Sequence, residues 1–108
     1  MSWTVTFVNA TAEAELNALP IDMRTRFIRF GDMIQAQGID IMREPYAKHL
    51  TGRLWELRLT GRDGIARSIY VTASGRRVVV LRTFVKKTQK TPPREIRIAL
   101  ARLKEVQE

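Results

Sequence analysis

The sequence predicts one α+β domain in which helices pack on one side of an antiparallel sheet. Three observations lead there. Apolar residues alternate with a period of two in two segments, and two further segments between turns read as strands, one of them rich in β-branched residues. Apolar residues recur at helical spacing in two others, and a capped segment supplies a third helix. Turn residues separate the last three strand segments so closely that a meander follows. At 108 residues the chain has room for one domain with one modest core. The predicted order is β-α-α-β-β-β-α over residues 1–108.

Trp3 to Val8 alternates, with Trp3, Val5 and Phe7 on one side, and reads as a short strand. Thr11 is the expected cap of a first helix, with Glu13 and Glu15 suiting its positive end. That helix stops near Leu19, because Pro20 restricts the residue before it. Pro20 opens a second helix with the stripe Met23, Phe27, Phe30 and Ile34, and Gly38 ends it. Residues 39–52 read as irregular, punctuated by Pro45 and Gly52. Leu54 to Thr60 alternates, with Trp55, Leu57 and Leu59 opposite Glu56 and Arg58. Gly61-Arg62-Asp63-Gly64 turns into a strand from Ile65 to Thr72. Ser74-Gly75 turns into a β-branched strand from Arg77 to Val85. Thr91 as cap and Pro92 at the first helical position open the last helix. Its stripe is Ile96, Ala99, Leu100 and Leu103.

Charge narrows the function. The net is +8, with pI about 10.8. Residues 1–50 carry five Lys/Arg against six Asp/Glu, and residues 51–108 carry fourteen against five. Between Asp63 and Glu95 there is no acid, yet Arg67, Arg76, Arg77, Arg82, Lys86, Lys87, Lys90 and Arg94 lie there. Such segregation favours a polyanionic partner, either nucleic acid or an acidic protein. The alternative is a solvated face that keeps the protein soluble. The chain contains no Cys, which agrees with a reducing cytosol. No basic-then-apolar leader opens it, and its longest apolar runs fall short of a membrane span. A cytoplasmic location is expected, with no membrane contact.

Familiar catalytic sets are missing. His49 stands alone, so it makes neither a metal site nor a Ser-His-Asp triad, and it reads as a loop residue. The glycines form no phosphate loop. Catalysis would therefore rest on Arg, Lys, Tyr or backbone groups, with no metal and no cofactor. RNA suits that set, because its own 2′-hydroxyl attacks the neighbouring phosphate. Arg and Lys stabilise the charge that develops on phosphate oxygens. A Lys among other cations, or Tyr70, could then transfer protons.

The densest candidate is Arg82-Thr83-Phe84-Val85-Lys86-Lys87-Thr88-Gln89-Lys90-Thr91. Phe84 amid cations either stacks a base or belongs to the core. Arg58 and Arg67 are charges in mid-strand, either functional or snorkelling to a surface. Parity aligns Arg67 with the core-like Ile69 and Val71, so a bulge or strong twist is needed to bring it to an open face.

The segments "LWELRL", "ARSIYV" and "VVVLRTFVKKTQKTPPREIRIALARL" resemble the HigB-like, phage-derived branch of the RelE toxin superfamily. The resemblance runs from about Arg43 to the C-terminus. It is most specific in Phe-x-Lys-Lys-Thr-x-Lys-Thr-Pro, and the first 40 residues match in element order alone. It implies the compact β-α-α-β-β-β-α toxin fold. It also implies a metal-independent endoribonuclease that cleaves mRNA on translating ribosomes. Carried over, Arg58 and Arg67 stabilise transition-state charge, while Lys86 and Lys87 contact phosphate or transfer protons. Tyr70 matches the closing tyrosine of an arginine-containing family segment, and Ala66 departs from the aromatic that usually precedes that arginine. Arg82, Phe84, Lys90 and Arg94 are the implied RNA-binding residues. The implied partner is a cognate helix-turn-helix antitoxin, with DNA reached only through it. Two alternatives remain: a ParE-like protein that inhibits DNA gyrase without catalysis, and an inactive homologue that only binds RNA or ribosomes.

Overall fold

The computed structural model describes residues 2–87 and 89–108. Its elements are β1 (Thr4–Phe7), α1 (Ala10–Asn17), α2 (Ile21–Gln37), β2 (Ala47–Thr51), β3 (Leu54–Gly61), β4 (Gly64–Ala73), β5 (Arg77–Lys86) and α3 (Pro93–Leu103), with a single 3₁₀ turn at Ile39–Ile41. The five strands form one sheet in the order β1-β5-β4-β3-β2. The meander β2 to β5 is antiparallel, and β1 joins its edge parallel to β5.

The α+β class holds, with one strand more than expected. Residues 47–51, read as irregular, pair with β3 through Ala47–Leu57, Lys48–Glu56 and His49–Trp55. This is an edge strand. Only Ala47 on it is fully buried, so its composition stays polar and carries no clear alternation. His49 accordingly sits on a strand, its ring 2.8 Å from the Gly52 carbonyl oxygen and edge-on to Trp55.

The helices do not share one side. Met23, Phe27, Phe30 and Ile34 of α2, with Leu16 of α1, pack against Leu57, Leu59, Ala66, Tyr70, Val78 and Val80. Ala99 of α3, flanked by Ile96 and Leu103, packs against the opposite parity: Leu54, Ile69, Val71, Val79, Leu81 and Phe84. The amphipathic α3 needs an apolar surface of its own, and the first face is already covered. Burial of β4 from Ala66 through Val71, without alternation, is what cover on both faces produces.

Cap positions also differ in detail. Asn9, not Thr11, caps α1: its Oδ1 accepts from the Ala12 N–H at 2.8 Å. Helix α3 begins at Pro93, and the Thr91 hydroxyl donates to Glu56 instead of capping. Pro20 and Gly38 bound α2 as predicted. Gly61 permits a close approach: a Cβ there would lie 2.8 Å from Met23 Cγ. That contact seats the start of α2 on the β3–β4 turn, where the Arg62 N–H donates to Asp22 at 2.6 Å.

Behind the sheet edge, acids and arginines lock α1, β5 and α3 together. Glu15 accepts from Arg102 at 2.8 Å and from Arg82 at 2.6 Å, and Arg82 also donates to Glu95 at 2.6 Å. Burial alone would raise the Glu15 pKa. The hydrogen bond from Arg102 and the Arg82 charge outweigh it and hold the carboxyl below its ordinary value.

Candidate functional site

Ile69 and Val71 pack in the α3 cluster, and Arg67 stands on the same side of β4, beside Lys86 and Lys87. No re-aiming is therefore required, and parity alone delivers Arg67. The one bulge in the β4–β5 ladder falls at Ile69/Tyr70, where Leu81 is the extra residue. It does not touch Arg67.

Around Arg67 the ladder assembles a cationic cluster. Arg58 is its direct partner on β3, and Phe84 is its partner on β5. Lys86 follows Phe84 on the same side, and Lys48 stands across from Glu56 on β2. Arg67, Lys86, Lys87, Gln89, Gly64 and Ile65 line a shallow hollow of about 490 Å³. Like charges directly opposed on a ladder repel, so an anion must be near to hold Arg58 against Arg67. Two glutamates serve in part. Glu56 lies 3.4 Å from Arg67 Nη1, and the exposed Glu44 lies 3.5 Å from Arg58 Nη1.

The compensation is incomplete. Arg67 is 6% exposed, yet its Nε and Nη1 have no hydrogen-bond partner among the described residues. The Arg58 Nε is buried and unbonded in the same way. Buried donors without acceptors cost about 1–3 kcal/mol each, more when charged. Burial pushes the Arg67 guanidinium below its ordinary pKa, Glu56 opposes this and Arg58 adds to it. Burial also lowers the Lys86 pKa, and the neighbouring Arg67 charge lowers it further. The arrangement offers a phosphate-like anion two guanidinium groups and a neighbouring ammonium.

The structure brings Arg58, Arg67, Lys86 and Lys87 together. It separates Tyr70, which lies on the α2 face at 2% exposure, its hydroxyl pushed above the usual tyrosine range by burial. Residues 67 and 70 differ in parity, so strand geometry forbids one side for both. Phe84 is next to Arg67 but packs into the α3 core at 9% exposure, which leaves little ring surface for a base. Arg82 is held by Glu15 and Glu95 and does not face the hollow. Lys90 and Arg94 are exposed, before and within the first turn of α3. Thr88 of the Lys-Lys-Thr stretch lies outside the described residues.

Sequence reasoning missed Glu56 and Lys48. The signal for Glu56 was present, since alternation in β3 puts it on one side with Arg58. Lys48 was hidden because its strand was not recognised. No helix among the described residues is long and apolar enough to cross a membrane.

Among solved structures, the RelE toxin of Escherichia coli, a double arginine-to-alanine mutant in the free state, matches at TM-score 0.66 and 14% identity. The match covers 95% of this chain and 99% of that one. RelE in the archaeal RelE–RelB complex of Pyrococcus horikoshii matches at TM-score 0.62 and 22% identity, over 81% and 98% of the two chains. The chain therefore has the RelE fold. No curated protein matches its sequence. The family described as phage derived protein Gp49-like matches residues 14–104, so the chain belongs to that family.

Proposed function

We propose that the protein is the toxin of a type II toxin–antitoxin pair, close to the HigB-like branch, and an endoribonuclease that cuts mRNA on translating ribosomes. One observation carries the reading: the buried guanidinium of Arg67, whose Nε and Nη1 make no hydrogen bond among the described residues, stands beside Arg58, Lys86 and Lys87. Such donors are costly unless an anion arrives, and a nucleic-acid phosphate is the anion that a strongly basic chain meets.

In the proposed reaction the 2′-hydroxyl loses its proton to solvent water, its oxygen bonds to the adjacent phosphorus, and the bond from phosphorus to the 5′-oxygen breaks. The products are a 2′,3′-cyclic phosphate and a 5′-hydroxyl end. Arg67 and Arg58 donate to the non-bridging oxygens as charge builds on them. Lys86, whose pKa burial and the Arg67 charge lower, is the proton-transfer group for the leaving oxygen. Lys87 contacts a flanking phosphate. Tyr70 has no part, because it lies on the other face. Phe84 supports Arg67 from the ladder. The likeness to RelE crystallised with RelB extends the proposal to a protein antitoxin, whose acidic or masking segment would cover the hollow.

Primer extension on an mRNA translated in a cell-free system tests this, with wild type, Arg67→Lys and Lys86→Ala. Discrete cuts that need translation and fade in both variants are the expected result. Intact mRNA together with blocked gyrase supercoiling would replace the proposal by the ParE-like inhibitor. Intact mRNA with ribosome binding retained would leave an inactive RNA- or ribosome-binding homologue.

A further inference from the structure

Glu56 is a buried acid paired with Arg67 at the edge of the cationic cluster, at 1% exposure. Two contacts hold it, and a lysine stands opposite it in the ladder. Arg67 Nη1 lies 3.4 Å from its Oε1, the Thr91 hydroxyl donates to its Oε2, and Lys48 faces it across the β2–β3 ladder. These contacts join three separate parts of the chain. Arg67 belongs to β4, while Thr91 ends the connection from β5 to α3 that carries Lys87, Gln89 and Lys90. That connection starts at Lys86, which the ladder fixes opposite Ile65. Glu56 closes its other end. A buried carboxylate is an expensive way to fill a strand position unless its contacts are needed.

We propose that Glu56 is a positioning residue: it orients the Arg67 guanidinium and, through Thr91, fixes the α3 end of the connection that carries Lys87 and Gln89 beside that guanidinium. The proposal rests on the ribonuclease reading for its catalytic consequence, but not for its structural one. Glu56 repels the phosphate that the site is built to take, so it works against binding while serving geometry. That opposition yields a signature that a merely structural residue lacks. Removing the charge should leave binding intact or improve it and still slow the chemistry.

The test uses the full chain with Glu56→Gln and Thr91→Val. Glu56→Gln keeps the shape and an acceptor for Thr91 while removing the charge. Binding is read by titration with a short RNA carrying 2′-O-methyl groups, which cannot be cut. The Arg67 side-chain Nε–H resonance is read by NMR and assigned by its loss in Arg67→Lys. For Glu56→Gln the expected results are a Kd equal to wild type or about threefold lower at low salt, and a shifted or broadened Arg67 resonance. Single-turnover cleavage should be slower by about tenfold or more, because a misplaced group costs rate steeply. Thr91→Val keeps the charge, so it should leave Kd unchanged and slow cleavage less.

An unaltered Arg67 resonance with wild-type cleavage in Glu56→Gln would overturn the proposal. Weaker RNA binding in step with slower cleavage would overturn it too, since Glu56 would then only maintain the fold. If Glu56→Gln does not fold, Thr91→Val decides: an Arg67 resonance and cleavage rate like wild type would sink the positioning role, and changes in both would support it. If wild type itself never cuts RNA, the ribonuclease reading fails, while the resonance and binding arms still judge Glu56.

Discussion

Along β4, residues 67, 69 and 71 stand in one row on one side of the sheet, yet the two ends of that row live in different surroundings. Ile69 and Val71 are sealed by Leu81 and Ala99 beneath α3. Arg67 stands among Arg58, Glu56 and Lys86. Burial is almost the same at both ends, at 0% for Ile69 and 6% for Arg67. What differs is partner satisfaction. The apolar end has only dispersion contacts to satisfy and satisfies them. The charged end keeps two guanidinium nitrogens of Arg67 without a hydrogen bond among the described residues, although Glu56 lies 3.4 Å from one of them. Burial in this fold therefore marks both its most settled and its least settled region, and only the hydrogen-bond inventory separates them.

The contrast can be broken most forcefully on the settled side. Phe30→Ala empties a site that is 3% exposed and should cost about 4 kcal/mol in urea unfolding. Whatever protein remains folded should keep its affinity for RNA. An equal loss of affinity would mean that the core and the hollow are not separable.

Arg67→Lys works at the other end. It keeps the charge and loses the fork, so cleavage should fall by about 100-fold, roughly 3 kcal/mol of barrier. Unfolding stability should change far less, because the native site already leaves these donors unbonded. A stability loss as large as that of Phe30→Ala would show Arg67 to be structural.

Glu15→Gln probes the clamp behind the two ends. The groups are partly exposed, at 14–18% for the arginines and 16% for Glu15, so a loss of about 2 kcal/mol is expected, below that of a fully buried pair. The pH dependence has a definite sign. The folded pKa of Glu15 is depressed from 4.5, so its contribution is complete above that pH and lost as pH falls through the folded value. Melting temperature measured from pH 7 down to pH 3 should therefore drop more steeply for wild type than for Glu15→Gln. Parallel curves would mean that Glu15 is not held by its arginines.

The smallest effect is expected at Lys87, which is exposed. Lys87→Ala should leave stability within about 0.5 kcal/mol. It should also reduce the salt slope of RNA binding by about 0.7, the value for one phosphate contact on a single strand. An unchanged slope would remove Lys87 from the interface.

Much of this was legible in the residues. The stripe Met23, Phe27, Phe30 and Ile34 specifies α2 and its buried side, because a period of 3.6 admits no other element. The β3 and β5 segments and the turns at residues 61–64 and 74–75 follow from period and punctuation. Arg58, Arg67, Lys86 and Lys87 were readable as a group from charge and from family resemblance. Tyr70 was misread, although its parity against Arg67 was available in the sequence. Edge strand β2 was not legible, since a polar edge pairs through its backbone and needs little from its side chains.

By itself, then, the sequence determined the α+β class, the principal elements, the basic C-terminal half and the set of cations offered to an anion. Tertiary structure decided the rest. It put α3 on the face that α2 leaves free and brought Glu56 and Thr91 together from positions 35 residues apart. The physical reason is range. Periodicity and capping act within one element. Which charges are buried together, and which of their hydrogen bonds go unmade, is set only when distant strands and helices share a surface.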